Sequence, residues 1–148
     1  LQLYYGAIAQ PNYQLEVIDS LEYKIKEYNL LQEFIQAYEC ADSLLLFHPV
    51  SITAYFEKSF ACYALKRMDE EAITKQKYLL FVKCALRSGD GSARNPFVVV
   101  SDNDAVEVLK YLQVKYKEVQ AVDSNTLMAT LSKKYRGTSV IYFRLPTP

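Results

Sequence analysis

Apolar residues recur every three or four positions through the first 88 residues of the chain, and this spacing predicts amphipathic helices. The helical segments are residues 16–28, 30–48, 51–68 and 69–88. Pro49 ends the second helix, because proline disfavours helical geometry in the residue before it. The fourth helix opens on three carboxylates, Asp69, Glu70 and Glu71, which interact favourably with the positive end of a helix dipole.

The second and third helices are the most apolar, and their patterns predict which residues form the core. In the second helix, seven residues share one face: Leu31, Phe34, Ile35, Tyr38, Ala41, Leu44 and Leu45. The third helix is apolar on nearly every face, with Phe56, Phe60 and Tyr63 among its large side chains. A helix of this kind is usually enclosed by others, so we expect it to be buried all round.

The pattern changes after residue 88. A short β-branched run at 95–101 predicts a strand, and residues 101–113 predict a helix that starts with Ser101 and Asp104 in the spacing of a capping box. Three more strands follow, and Tyr135–Thr138 forms the turn between the last two. Helices followed by strands indicate an α+β fold.

We therefore divide the chain into residues 1–88 and residues 89–148. The first part is an N-terminal arm followed by antiparallel helices of tetratricopeptide-like spacing, although about one and a half repeats are present. The second is a small β-α-β-β-β unit with a mainly antiparallel sheet, packed on the first part as a cap, because such repeats normally need at least three copies to be stable.

The loop at residues 88–91, Ser-Gly-Asp-Gly, joins the two parts. It lacks the phosphate-loop pattern G-x-x-x-x-G-K-[ST], and it follows a helix instead of a strand. Asp102 and Asp104 begin like a calcium loop, but the glycine and the distal glutamate of that motif are missing. We expect a structural join, with Gly89 as a helix cap of positive φ.

Composition excludes some functions and leaves others open. Seventeen Lys and Arg balance 17 Asp and Glu, which argues against nucleic-acid binding. No apolar run has the length of a membrane span. Thirteen tyrosines suit packed helices or a binding surface. The three cysteines lack metal spacing and lie in predicted helices, where small buried thiols are common: Cys40, Cys62 and Cys84.

Candidate catalytic chemistry is sparse. His48 is the single histidine and cannot form a zinc site without suitably spaced partners. An enzyme would need polar groups converging near His48, Cys62 or Asp90. The Tyr4–Gly6 segment forms either an aromatic platform or part of a packed arm. We assign no catalytic residues, no metal ligands and no cofactor, and the pattern identifies no binding residues.

Four stretches resemble a bacterial family called domain of unknown function 4919. They are LYYGAIAQPNY, HPVS, RSGDGSARNPFVVVSDNDAVEVLKYL and VIYFRL, which together span most of the chain in the family's order. Residues 88–91 match the family's Ser-Gly-Asp-Gly loop, whereas Asp102–Ala105 depart from its Asp-Glu-Tyr-like helix start. The resemblance implies an exported protein of the cell envelope whose leader has been removed, and it carries over no catalytic residues.

Three hypotheses follow from these observations. The first is a non-enzymatic module that binds a protein or peptide in a groove of the helical half. The second is a small-ligand protein or enzyme with a pocket between the two halves. The third is a structural subunit whose groove is filled by its own N-terminal arm or by a second copy.

Overall fold

The computed structural model describes residues 15–146, and within that range the chain has an α+β fold of five helices and four strands. The helices come first, with one further helix among the strands, as the sequence predicts. The elements are α1 (Leu15–Leu30), α2 (Phe34–Phe47), α3 (Ile52–Ala64), α4 (Met68–Arg87), β1 (Phe97–Val98), α5 (Asp102–Tyr111), β2 (Tyr116–Asp123), β3 (Thr126–Tyr135) and β4 (Thr138–Arg144).

The described residues form two compact units, and the division between them falls within α4, after Phe81. The first unit contains α1, α2, α3 and most of α4. Helix α2 packs on both α1 and α3, and α1 also packs on α3. Its core contains aliphatic and small side chains, among them Ile18, Ile25, Ala37, Ala41, Leu44, Val50, Ile52, Ala54, Ala61 and Cys62.

The faces that these helices bury agree only in part with the predicted ones, which included Ala41 and Leu44. On α2 the buried residues are Ala37, Ala41 and Leu44, whereas Ile35 is 54% exposed. Helix α3 is not enclosed, since only one face is buried. That face carries the small residues Ala54 and Ala61 and packs against α1 and α2. Of the four aromatic side chains of α3, Tyr55 is buried and three lie on the opposite side, toward solvent: Phe56, Phe60 and Tyr63.

Two polar contacts attach α1 to α3 inside this core. The Ser51 hydroxyl caps α3 by accepting a hydrogen bond from Ala54 N (3.0 Å), and it donates to the buried Glu22 carboxylate. Seven residues along α1, Asn29 Nδ2 donates to Glu57 Oε2 (2.8 Å) and to the Glu57 carbonyl (3.0 Å). Buried polar groups are costly unless they are bonded, so these pairs specify how α1 is aligned on α3.

Three helices end in the same backbone arrangement. After α1, α3 and α5, a residue with positive φ reverses the chain: Gln32 (φ 60°), Lys66 (φ 60°) and Gln113 (φ 56°). In each case the next residue donates its N–H to the carbonyl five positions earlier, as in Arg67 N to Cys62 O at 2.8 Å. This is a Schellman motif, in which glycine is the usual left-handed residue, yet none of the three is glycine.

The second unit contains a mixed four-stranded sheet in the order β1-β4-β3-β2. The sequence predicted a mainly antiparallel sheet, and this is corrected by β1, which pairs with β4 in parallel through Phe97 opposite Phe143. The parallel pairing arises because α5 follows β1 as a crossover and carries the chain to the far edge. Strands β2, β3 and β4 then pair as an antiparallel meander.

Local sequence signals of this unit are confirmed. Ser101 Oγ accepts a hydrogen bond from Asp104 N at 3.1 Å and caps α5. Tyr135 pairs with Thr138 across a two-residue turn in which Arg136 and Gly137 both have positive φ, as a type I′ hairpin turn requires.

The join after α4 is glycine-rich for a different reason from the one predicted. Gly89 does not have positive φ, so it is not a left-handed cap. A Cβ at Gly89 would lie 2.2 Å from the Pro96 carbonyl oxygen, so close approach of two backbone segments requires the glycine. Gly91 is the left-handed residue, at φ 81°. Ser88 Oγ accepts from Val98 N at 2.7 Å and thereby ties the end of α4 to β1.

Candidate functional site

A polar cluster of the helical unit surrounds Tyr38 on α2. Its hydroxyl donates a hydrogen bond to Glu70 at the start of α4. Cations lie over its ring, with Arg67 Cζ 4.6 Å and Lys58 Nζ 5.1 Å from the ring centroid. Lys58 also forms a salt bridge with Asp42 at 2.6 Å. Tyr38 therefore joins α2, α3 and α4 through one side chain.

The electrostatics of this cluster keep the Tyr38 hydroxyl and the Cys62 thiol protonated. The hydrogen bond to Glu70, with burial and the nearby Asp42, raises the pKa of Tyr38 to about 12. Burial also raises the pKa of the Cys62 thiol, and the Glu70 charge adds to the effect. A nucleophile or general base requires the opposite shift, toward the ionised form at neutral pH. The cluster is therefore suited to holding helices together.

An aromatic stripe lies on the exposed face of α3. It consists of Phe56, Phe60 and Tyr63, spaced four and three residues apart, and these side chains are 36%, 47% and 63% exposed. Neighbouring rings flank it: Phe34 on α2 lies 6.0 Å from Phe60, and Tyr78 on α4 lies 5.4 Å from Phe56, both centroid to centroid. The stripe therefore lies against both neighbouring helices.

A shallow cavity of about 200 Å³ lies over this stripe. Its lining includes the three aromatic residues of α3 and Ser59, and α4 contributes Glu71 and Lys75. An apolar floor with charged residues at the edge is the composition of protein-recognition surfaces, where aromatic anchors supply most of the binding energy. This cavity is our candidate binding site, named here the α3 groove.

The residues that the sequence singled out for catalysis lie elsewhere or are enclosed. His48 follows α2, is 3% exposed, and has its pKa lowered to about 4 by burial. Cys62 is fully buried on α3 beside the Tyr38 cluster. Asp90 is exposed in the loop of the second unit, where its carboxylate accepts from Ser92 N at 2.9 Å. That hydrogen bonding lowers the pKa of Asp90 and organises the turn.

The remaining sequence candidates have structural positions. Asp102 and Asp104 occupy the first turn of α5, and Asp69, Glu70 and Glu71 occupy the first turn of α4. Cys40, Cys62 and Cys84 are free thiols, with Cys40 partly exposed and the other two buried. Tyr4, Tyr5 and Gly6 lie outside the described residues. Across residues 15–146, no group of three His, Cys, Asp or Glu side chains is placed to hold a metal ion.

Sequence patterns missed the α3 groove because hydrophobicity alone assigned its aromatic residues to the core. One signal was present: Ala54 and Ala61 also lie on α3, seven residues apart, and small residues mark the face on which helices approach closely. The contacts of Lys58 and Arg67 with Tyr38 could not be predicted from the sequence, since they join segments that are far apart in the chain.

Comparison with known proteins identifies one relationship. The family model described as Domain of unknown function (DUF4919) matches residues 1–147. No curated protein and no solved structure matches the chain significantly. None of the helices between residues 15 and 146 is long and apolar enough to cross a membrane.

Proposed function

Since the chain belongs to the DUF4919 family, whose description names no activity, we propose from its own surface that it is a non-enzymatic module that binds a protein or peptide in the α3 groove. The observation that carries this proposal is the aromatic stripe of Phe56, Phe60 and Tyr63. Aromatic side chains lose little conformational entropy on binding and bury a large area, so clusters of them on an exposed helix face are typical of recognition sites.

The charge of the helical unit indicates the kind of partner. Between residues 15 and 81 there are seven Lys and Arg against eleven Asp and Glu, a net charge of −4. We therefore assign to the groove a partner segment with an apolar face and basic flanks. Complementary charge raises the association rate and orients the partner, while the aromatic floor supplies the affinity.

The packing of the helices supports a tetratricopeptide-like arrangement within this proposal. Neighbouring helices are joined by three or four residues, and α1 packs on α3 as well as on α2. Such stacks bind peptides across exposed helix faces. We further propose, from the family resemblance, that the protein works in the bacterial cell envelope. Fractionation of native cells with an antibody against the chain tests this location.

Selection of peptides from a random library by the purified protein tests the proposed binding. We expect selected peptides to carry Lys or Arg beside apolar residues spaced three and four apart. The double variant F56A/F60A should weaken their binding at least tenfold in titration calorimetry. The matched control is L46A/F47A, which removes two exposed apolar side chains at the end of α2, away from the groove lining. Circular dichroism confirms that each variant is folded.

The opposite results would refute the proposal. Peptides without basic or apolar enrichment, or equal affinity in F56A/F60A and wild type, would show that the groove is not the binding site.

If the purified protein does select such peptides, a benzophenone side chain at position 60 extends the test to cells, because it cross-links whatever protein contacts the groove.

The alternative, a small-ligand protein or enzyme, stays a prediction. Polar groups do converge near Cys62, as that hypothesis required, but the raised pKa values of Cys62 and Tyr38 favour their protonated, unreactive forms. A screen of small metabolites for an increase in melting temperature tests this alternative directly, since a ligand that binds the folded state stabilises it.

A further inference from the structure

A second concave site lies in the other unit, where α5, β2 and β3 meet. The Schellman motif that ends α5 turns the chain at Gln113, with Val114 N bonded to Leu109 O at 3.1 Å. The chain then enters β2, and Ser132 N donates to Lys115 O at 2.9 Å, which holds the start of β2 beside the end of β3. The cavity between them has a volume of about 230 Å³.

Three consecutive residues of β3 line this cavity, at a point where the pairing of the strand is irregular. In a regular strand, successive side chains point to opposite faces of the sheet. The register between β3 and β4 shifts between Thr130 and Tyr135, so the intervening residues are not held in the regular ladder. Lys133, Lys134 and Tyr135 lie in this irregular part of β3, and all three line the cavity.

The lining of the cavity is basic. Three of its six residues are lysines, and the others are Gln113, Val114 and Tyr135, so no carboxylate and no arginine lines it. Within the described range, 15–146, neither Lys115 nor Lys133 nor Lys134 forms an ion pair with a carboxylate. All three lysines are exposed, and an anion bound in the cavity would neutralise their positive charge.

The surrounding charges reinforce this positive potential. Lys117 follows on β2, and Arg136 lies over the Tyr135 ring with its Cζ 5.3 Å from the centroid. Glu118 on β2 is exposed, whereas Glu107 on α5 is buried and lies 3.4 Å from Lys110. Counted from residue 82 to residue 146, ten Lys and Arg exceed six Asp and Glu, a net charge of +4.

We propose that this cavity, named here the lysine pocket, binds a small anion that carries phosphate groups. A phosphate monoester carries a charge of about −1.5 to −2 at neutral pH, against −1 for a carboxylate, so it matches several lysines better. Lysine binds phosphate as a point charge, while planar carboxylates are typically bound by the fork of arginine. The Gln113 amide adds a neutral donor, and the volume suits a small ligand better than a polymer.

The lysine pocket is independent of the α3 groove, since the two sites share no residue and lie in different units. Failure of one proposal therefore leaves the other standing. Phosphate can be presented by a soluble phosphorylated compound or by a lipid headgroup, and the experiment below distinguishes these sources.

Titration of the full chain with inorganic pyrophosphate, followed by amide chemical shifts in NMR, tests the pocket. We expect saturable shifts at residues 113–115 and 133–135, and at least tenfold weaker binding in K133A/K134A. The matched control is K83A, an exposed lysine on α4 that does not line the pocket, and it should bind as wild type does. Citrate, which offers three carboxylates instead of phosphates, should bind at least tenfold more weakly than pyrophosphate.

Vesicles that contain phosphatidic acid, a lipid whose headgroup is a phosphate monoester, form the second arm of the test. Co-sedimentation that K133A/K134A abolishes would assign the phosphate to a lipid headgroup, whereas pyrophosphate binding without co-sedimentation would assign it to a soluble compound. The proposal is overturned by pyrophosphate shifts that do not saturate, by equal binding in wild type and K133A/K134A, or by equal affinity for citrate.

Discussion

Single residues with positive φ store strain at the ends of three helices. Gln32, Lys66 and Gln113 each adopt a left-handed conformation, which costs a residue with a Cβ about 1 kcal/mol relative to glycine. The motif is nevertheless formed, because the hydrogen bonds across each turn satisfy carbonyls at the helix end.

Replacement of Lys66 by glycine should therefore stabilise the protein. We expect K66G to raise the free energy of unfolding above that of K66A by about 1 kcal/mol, because both variants lose the lysine side chain and only glycine relieves the strain. Urea unfolding followed by circular dichroism measures the difference. Equal midpoints for the two variants would show that the left-handed turn is not strained.

Gly91 and Gly137 both have positive φ, so comparing them separates the cost of backbone strain from the cost of a steric clash. A Cβ at Gly91 would lie 2.7 Å from Cε2 of the Phe97 ring, whereas a Cβ at Gly137 would meet nothing within 4 Å. We expect G137A to cost about 1 kcal/mol and G91A about 3 kcal/mol, because only the second adds overpacking to the strain. Thermal unfolding of both variants checks the ranking, which a G137A cost equal to that of G91A would contradict.

His48 makes the stability of the fold depend on pH. Burial lowers its pKa from 6.5 to about 4, so the folded state takes up its proton at lower pH than the unfolded state does. The contribution is fully present above pH 6.5 and is lost as the pH falls toward 4. We expect a loss of about 2 kcal/mol between pH 7 and pH 5 in urea titrations. H48Q should show a smaller loss, since the chain has no other histidine.

Among the elements, α1 is held to α3 by polar contacts that hydrophobic periodicity did not predict. Periodicity located the five helices and the four strands between residues 15 and 146. The Ser101 cap and the Arg136–Gly137 turn could be predicted because their sequence signals are local. The burial of Glu22 and its contact with Ser51 could not be predicted in this way, since the two residues are 29 positions apart in the chain. The parallel pairing of β1 with β4 and the lysine pocket were missed for the same reason.

The contribution of the contact between Ser51 and Glu22 to stability can be measured as a coupling energy. S51A removes the cap of α3 and the donor to the buried Glu22 carboxylate, and we expect it to cost about 3 kcal/mol. In an E22A background the cost of S51A should be smaller, because the oxygen that accepts from the Ser51 hydroxyl is already absent. A double-mutant cycle by urea unfolding gives the coupling energy, and additive costs would show that the two side chains act separately.

At the scale of the whole molecule, charge is segregated although the total is zero. The two units carry −4 and +4 over the described residues. Opposite charges on different molecules attract, and salt screens this attraction over about 10 Å at 0.1 M ionic strength. We expect light scattering to show self-association that decreases between 20 and 300 mM NaCl, as a rough range for this screening. Association that increases with salt would indicate apolar contacts instead.

Strand β2 is an edge of the sheet, and most of its eight side chains are exposed. An uncovered edge can recruit strands from other copies and so begin a fibril. Here the register is shifted near both ends, between Tyr116 and Glu118 and between Ala121 and Asp123. The regular stretch from Glu118 to Ala121 is shorter than the six or so residues of an amyloid zipper, and it begins with a charge. Between residues 15 and 146 no further strand pairs with this edge of β2, and the bulges of β2 oppose templated aggregation there.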